Sequence, residues 1–215
     1  MNRTPEINLK APPRELSLTP DITEQPYSEY NIQVTAEGFE TVLVSGSEIL
    51  AGAYSLQPIR MNPLNVTEEE EKVVVIPPHT LFGEYPPKIP EEEIKPMNET
   101  GEIVLSRVVI PEYVIVHDGD PEDPTARNYW VRYKDYIKNV ASSEIYPTWS
   151  ESAIYANILV IQSFTLNRIF TEWYRGKGYD FTITSSTAYD QKWIYGRNVF
   201  EEIDYLVDSI FTNYL

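Results

Sequence analysis

The chain contains no cysteine, which excludes disulfide staples, thiolate metal ligands and a cysteine nucleophile. That absence suits either a reducing interior or a compartment where thiols are avoided. Histidine is nearly as scarce: His79 and His117 stand far apart, without the close carboxylate spacing of a metal site, so no metal and no other cofactor is expected. Basic residues are outnumbered, 17 against 33 acidic, and the formal net charge of -16 repels phosphate backbones. No Lys/Arg cluster reverses that sign locally, which argues against a nucleic-acid partner. A membrane span would need about 18 successive apolar residues, and none occurs. The start, Met1-Asn-Arg-Thr-Pro-Glu6, lacks the apolar stretch of a signal peptide.

What is present is enough for a buried core: 215 residues, 42% hydrophobic and 13% aromatic. The chain changes character twice. In residues 1–64, Tyr30-Asn-Ile-Gln-Val-Thr-Ala36 alternates with period two, Phe39-Glu-Thr-Val-Leu-Val44 reads as a second strand and Ala53-Tyr-Ser-Leu-Gln-Pro-Ile-Arg-Met61 as a third. Gly38, Gly46 and Gly52 punctuate them, suggesting part of a small antiparallel β-sandwich.

Residues 65–107 carry Glu68 to Glu71, Pro77-Pro78, Pro86-Pro87 and Glu91 to Glu93, the composition of an extended, solvated linker. Within it, Val73-Val-Val-Ile76 is four β-branched residues in a row, which reads as a strand docked on a neighbouring domain.

From residue 108 order is expected again. Val108 to Val116 reads as strand, and Asp118-Gly-Asp-Pro-Glu-Asp-Pro124 as a solvated turn that lacks the acid spacing of a calcium loop. A helix is predicted from Tyr133 to about Glu144, closed by the bias of Pro147 on its predecessor. A second runs from the cap Ser150 to about Tyr174, with Ile154, Ile158, Ile161, Thr165 and Ile169 on one face. Tyr179 to Thr184 alternates as a strand, and a last helix is predicted from about Asn198 to Asn213. The fold class expected is α+β.

One carboxylate stands out. Glu144 lies at the end of an apolar helical run beside Ile145, Tyr146 and Trp149, where desolvation would raise its pKa and keep a proton available near neutral pH. The competing reading is an exposed glutamate at a helix end. Ser142 and Ser143 have no base nearby in sequence, so serine chemistry is the weaker option.

Tyr136-Ile-Lys-Asn-Val-Ala-Ser-Ser-Glu-Ile-Tyr-Pro-Thr-Trp-Ser-Glu-Ser-Ala-Ile-Tyr-Ala-Asn157 resembles the signature of the stage II sporulation protein D family of lytic transglycosylases. In that family an acid of Ser-Glu-Met-Pro type precedes a Trp-Pro-Glu-Ala-Leu-type helix start. Residues 185–196, with Tyr189, Gln191 and the Tyr195-Gly196 pair, resemble its later loop. Nearly the whole chain, including Tyr27-Ser-Glu-Tyr-Asn-Ile32 and Ile110-Pro-Glu-Tyr-Val-Ile-Val-His-Asp-Gly119, is similar to the spore cortex-lytic enzymes of the SleC type.

The resemblance implies a spore-located proenzyme that cleaves the MurNAc-GlcNAc β-1,4 bond of cortex peptidoglycan to a 1,6-anhydro product. It implies residues 1–64 as a pro-region module, 65–107 as linker and processing region, and 108–215 as the first part of the catalytic domain. A subtilisin-like germination protease would cut between residues 101 and 112. Glu144 would be the catalytic acid, with Tyr189, Gln191 and Tyr195 touching glycan. The chain stops before the family's Gly-Leu-Ser-Gln-Trp-Gly-type motif and reads as a fragment of a longer protein. The alternative is a non-catalytic peptidoglycan-binding or spore-coat protein in which Glu144 is incidental.

Overall fold

Three α-helices and several small sheets make up the computed structural model, which describes residues 3–64, 72–90 and 105–215 and is α+β. The strands are β1 (Ser28–Val34), β2 (Val42–Ile49), β3 (Ser55–Leu56), β4 (Lys72–Val75), β5 (Tyr113–His117), β6 (Asn128–Arg132), β7 (Ile183–Thr184) and β8 (Val199–Phe200). The helices are α1 (Tyr133–Glu144), α2 (Glu151–Phe170) and α3 (Glu201–Ile210), with 3-10 turns at Arg14–Leu18 and Arg175–Lys177. The acidic runs Glu68 to Glu71 and Glu91 to Glu93 lie outside the described residues, as do residues 101–104 of the expected cleavage region.

β1 and β2 pair antiparallel, with a register shift between Tyr30 and Ile32, and β4 joins the other edge of β2 in parallel. The Val-rich run of β4 is a strand because one of its faces has a core to meet. Val74 is buried with Val42, Val44, Ile76 and Ile194, while Val73 and Val75 point outward. Gly46 sits at φ +87 in β2, and Gly196 at φ +73 carries its Cα against Val74, where a Cβ would come within 2.5 Å of Cγ1.

β5 is flanked by β6, antiparallel, and by β7, parallel. Strand order begins at Tyr113 rather than Val108 because Pro111 removes a ladder donor just upstream. β6 was not expected as a strand.

α1 has the predicted limits. Its C-cap Ile145 turns extended two residues before Pro147. α2 starts where Ser150 accepts a hydrogen bond from the Ala153 N–H (3.3 Å) and stops at Phe170, ahead of the expected end. Glu172, at φ +48, diverts the backbone there. α3 starts at Glu201 rather than Asn198 because Val199 and Phe200 pair with Leu56 and Ser55.

The main core gathers Val114 and Val116 of β5, Ile137, Val140 and Ala141 of α1, Ile154, Ile158 and Ile161 of α2, and Ile203 and Val207 of α3. Tyr27 and Leu50, from the first region of the chain, are buried in the same cluster. A buried ion pair adds to this weld. The Arg197 guanidinium donates to both carboxylate oxygens of Glu48 (3.2 and 2.5 Å) and through Nε to the Ser142 carbonyl (2.8 Å).

Candidate functional site

Glu144 is the last residue of α1, and the helix presents it because its other face is spent on the core. The segment from Gln191 to Arg197 lies along that helix. Asn139 clamps Ile194 twice, donating to its carbonyl (2.8 Å) and accepting from its N–H (2.9 Å), and Arg197 reaches the Ser142 carbonyl. This register places the Lys192 N–H on the Glu144 carboxylate at 2.7 Å. The two stretches that carry the family resemblance, 48 residues apart at this bond, therefore meet.

Burial pushes the Glu144 carboxyl up to about 7, against the pull of the Lys192 N–H and the positive charge of Lys88. The residue as a whole keeps some accessible surface. Desolvation therefore acts on the carboxyl group locally rather than through full enclosure of the side chain. Lys192 is itself partly buried, its ammonium pKa lowered by desolvation, and it lies 5.2 Å from the centre of the Tyr85 ring. A carboxyl that titrates near neutrality can give up a proton and take one back at the same pH, which is what one group acting as both acid and base requires.

The other three candidate residues separate. Gln191 faces inward and is 7% exposed: its Oε1 accepts from the hydroxyls of Tyr136 (3.3 Å) and Thr165 (2.9 Å), and its Nε2 donates to the Ile161 carbonyl (3.1 Å). Its amide is occupied in holding the loop to α1 and α2. Tyr189 is half-buried, its carbonyl accepting from Arg168 (3.3 Å). Tyr195 is the one of the three classed as exposed. Its ring lies 5.0 Å from Tyr129, with the Lys72 ammonium 5.6 Å above it.

Sequence reasoning missed what holds this loop in place. Asp190 accepts from Arg168 Nε (2.8 Å), the Tyr174 hydroxyl (2.7 Å) and both the N–H and hydroxyl of Thr184 (2.9 and 2.7 Å). The adjacency Tyr189-Asp190-Gln191 was visible, but the partners lie on α2, on β7 and, at Tyr174, just beyond the end of α2. Lys88 and Lys192 carried no motif at all.

A cleft of about 360 Å³ lies elsewhere. His117, Glu122, Asp123, Asn128, Tyr179 and Phe181 are among its lining residues, and Glu144 is not. The acidic turn beside it is tied by Asp123, which accepts from the N–H and hydroxyl of Thr125 (2.8 and 2.7 Å). A second cleft of about 110 Å³ near Arg168 and Tyr174 also excludes Glu144. Neither holds the chemistry that Glu144 offers, and hydrogen-bond geometry rather than cleft size identifies the candidate acid.

Among the described residues no group of three or more His, Cys, Asp or Glu is placed to hold a metal ion. None of their helices is long and apolar enough to cross a membrane. Comparison with protein-family models, with curated proteins and with solved structures returned no match.

Proposed function

We propose that this chain is part of a lytic transglycosylase of spore cortex peptidoglycan, with Glu144 as its acid. The observation that carries the reading is the desolvated Glu144 carboxyl, pushed up to about 7, at the end of α1 and bonded at 2.7 Å to the Lys192 N–H of the loop that the motif resemblance pairs with it. Protonated Glu144 donates to the oxygen of the MurNAc-GlcNAc β-1,4 bond as that bond breaks. The resulting carboxylate then takes the proton of the same MurNAc unit's 6-hydroxyl as its oxygen attacks the anomeric carbon. The product is a 1,6-anhydro sugar, and Glu144 ends protonated as it began. Because the nucleophile belongs to the substrate, the second carboxylate of a hydrolase is not required. Tyr195 offers an aromatic face for a sugar ring; Gln191 positions the loop, and Tyr189 stands beside it.

Activation by a subtilisin-like germination protease, cutting between residues 101 and 112 of a spore-stored proenzyme, belongs to the same proposal. Its support is the resemblance together with Ser106 to Val109, which are exposed and outside any strand or helix. The division into a β-sandwich-like pro-module, a linker and a partial catalytic domain is likewise part of this reading.

The test is full-length protein, first cut by a subtilisin-like protease between residues 101 and 112, incubated with purified cortex, with the released material analysed by mass spectrometry. Wild type yields anhydro-muropeptides and Glu144→Gln yields none. Equal release from both would end the proposal. A second reading, a glycan-binding protein without catalysis, is favoured by the absence of Glu144 from either cleft. On that reading neither protein releases product and both bind sacculi alike.

A further inference from the structure

The proline-rich segment after β4 is held on both sides of Glu144. Upstream, His79 is fully buried, its N–H donating to the Tyr27 hydroxyl (3.0 Å) and its ring 4.4 Å from that of Tyr146. Thr80 donates to the Ser143 carbonyl through both N–H (3.2 Å) and hydroxyl (2.7 Å), one residue from the acid. The N–H groups of Phe82 and Gly83 both return to the His79 carbonyl, and the Tyr85 hydroxyl donates to Pro78 (2.5 Å), turning the chain sharply.

Beyond that turn the segment changes. Glu84, Pro86, Pro87, Lys88 and Pro90 are exposed, so residues 84–90 lie on the surface rather than in the core. Three prolines keep them extended and deprive them of donors. The Tyr85 ring meets the ammonium of Lys192, the residue whose N–H holds Glu144. Lys88 sits 4.2 Å from the ring of Phe164 on α2, close enough to Glu144 for its charge to act there. On the far side, the Ile89 N–H donates to the Ala188 carbonyl (2.7 Å), and the Thr187 hydroxyl donates to that of Pro86 (3.4 Å).

We infer that residues 84–90 occupy the groove through which a glycan strand reaches Glu144, with Phe164, Thr187, Ala188 and Lys192 along its walls. The inference rests on the reading of Glu144 as a glycan-directed acid. An extended, surface-laid peptide with three prolines has the form of an occupant that can be exchanged for an extended polysaccharide. The anchor at His79 and Thr80 is of the opposite kind, buried and multiply bonded, so opening is a release of residues 84–90 from a fixed hinge near Gly83. The chain blocks its own site, and glycan and strap compete for one place.

The test uses the full chain bearing Glu144→Gln, so that binding is read without chemistry, with and without the added pair Lys88→Ala and Ile89→Pro. These two changes remove the ammonium over Phe164 and the N–H to Ala188. Hydrogen exchange over residues 84–88 reports the strap, and co-sedimentation with purified sacculi reports the groove. Faster exchange together with roughly tenfold tighter binding is expected, because apparent affinity scales with the open fraction. Faster exchange with unchanged binding overturns the inference, and so does unchanged exchange, since the ties named would then not hold the strap. Failure of the acid reading shows separately, as anhydro product released by the Glu144→Gln protein.

Discussion

Replacing Glu144 by glutamine should make the protein more stable at alkaline pH while leaving its stability in acid almost unchanged. The folded carboxyl titrates at about 7 and the unfolded one at 4.5. Between those values the folded protein keeps a proton that the unfolded chain has lost. Stability contributed by this group is therefore complete below pH 4.5 and declines as pH rises toward 7, where the carboxylate must ionise in a desolvated place. The whole interval corresponds to roughly 3 kcal/mol. Partial exposure of the residue reduces what is realised to about 1–3 kcal/mol.

Glutamine has the same shape, never ionises, and can still accept the Lys192 N–H through its carbonyl oxygen. Urea denaturation of both proteins at pH 4 and pH 8 isolates the group, because every other titration is shared. The glutamine protein should gain about 1–3 kcal/mol over wild type at pH 8 and close to nothing at pH 4. A difference that does not change with pH, or a glutamine variant that is weaker at pH 8, would mean that the carboxylate is the favoured form. Glu144 would then be no proton donor near neutrality. A stabilising substitution that abolishes activity is the pattern expected where a site is held at a cost to the fold.

Arg197→Leu leaves the buried Glu48 carboxylate without its partner and should cost about 3–5 kcal/mol in urea denaturation. Gln191→Ala removes the acceptor of the buried Tyr136 hydroxyl, while the Thr165 hydroxyl keeps the Ile161 carbonyl, and should cost about 1–3 kcal/mol, whereas Tyr195→Ala should leave stability within about 0.5 kcal/mol of wild type. Sacculus co-sedimentation by strap-opened protein should weaken with Tyr195→Ala and, at temperatures where both are folded, not with Gln191→Ala. A single cut between residues 101 and 112 should leave the two pieces co-eluting in gel filtration until denaturant is added, because Tyr27, Leu50 and Glu48 are buried against residues C-terminal to the cut.

The helices were legible because their signals are local. Pro147 and the Ser150 cap bracket one helix end and the next start within a few residues, and both stand where expected. The spacing of Ile154, Ile158, Ile161 and Thr165 marked the buried face of α2 for the same reason. What failed was set by partners distant in sequence. Asn128-Tyr-Trp-Val-Arg132 alternates in burial as a strand should, but its neighbour Asp118–Pro124 turn dominated the reading. Val199 and Phe200 have helical surroundings in sequence and become strand only because β3, over 140 residues earlier, pairs with them. Gln191 looked like a loop contact residue, and its three internal bonds go to α1 and α2. Glu144 itself was legible from its apolar neighbours; the N–H and the ammonium that oppose its desolvation were not.

Those opposing influences bear on how the proposed strap affects the acid. Closed, residues 84–90 bring the Lys88 charge, which lowers the Glu144 pKa, and on the proposed reading they also cover the groove and keep water from the carboxyl. Departure of the strap removes the ammonium but admits water, so the two effects of opening run in opposite directions. A glycan entering the same groove excludes that water again and brings no ammonium. The carboxyl in the glycan complex should then hold its proton more firmly than in the closed chain, with the Lys192 N–H as the remaining influence toward ionisation. On the proposed reading, exchange of strap for substrate would move the acid toward its protonated form at the moment when a leaving oxygen is present to receive the proton.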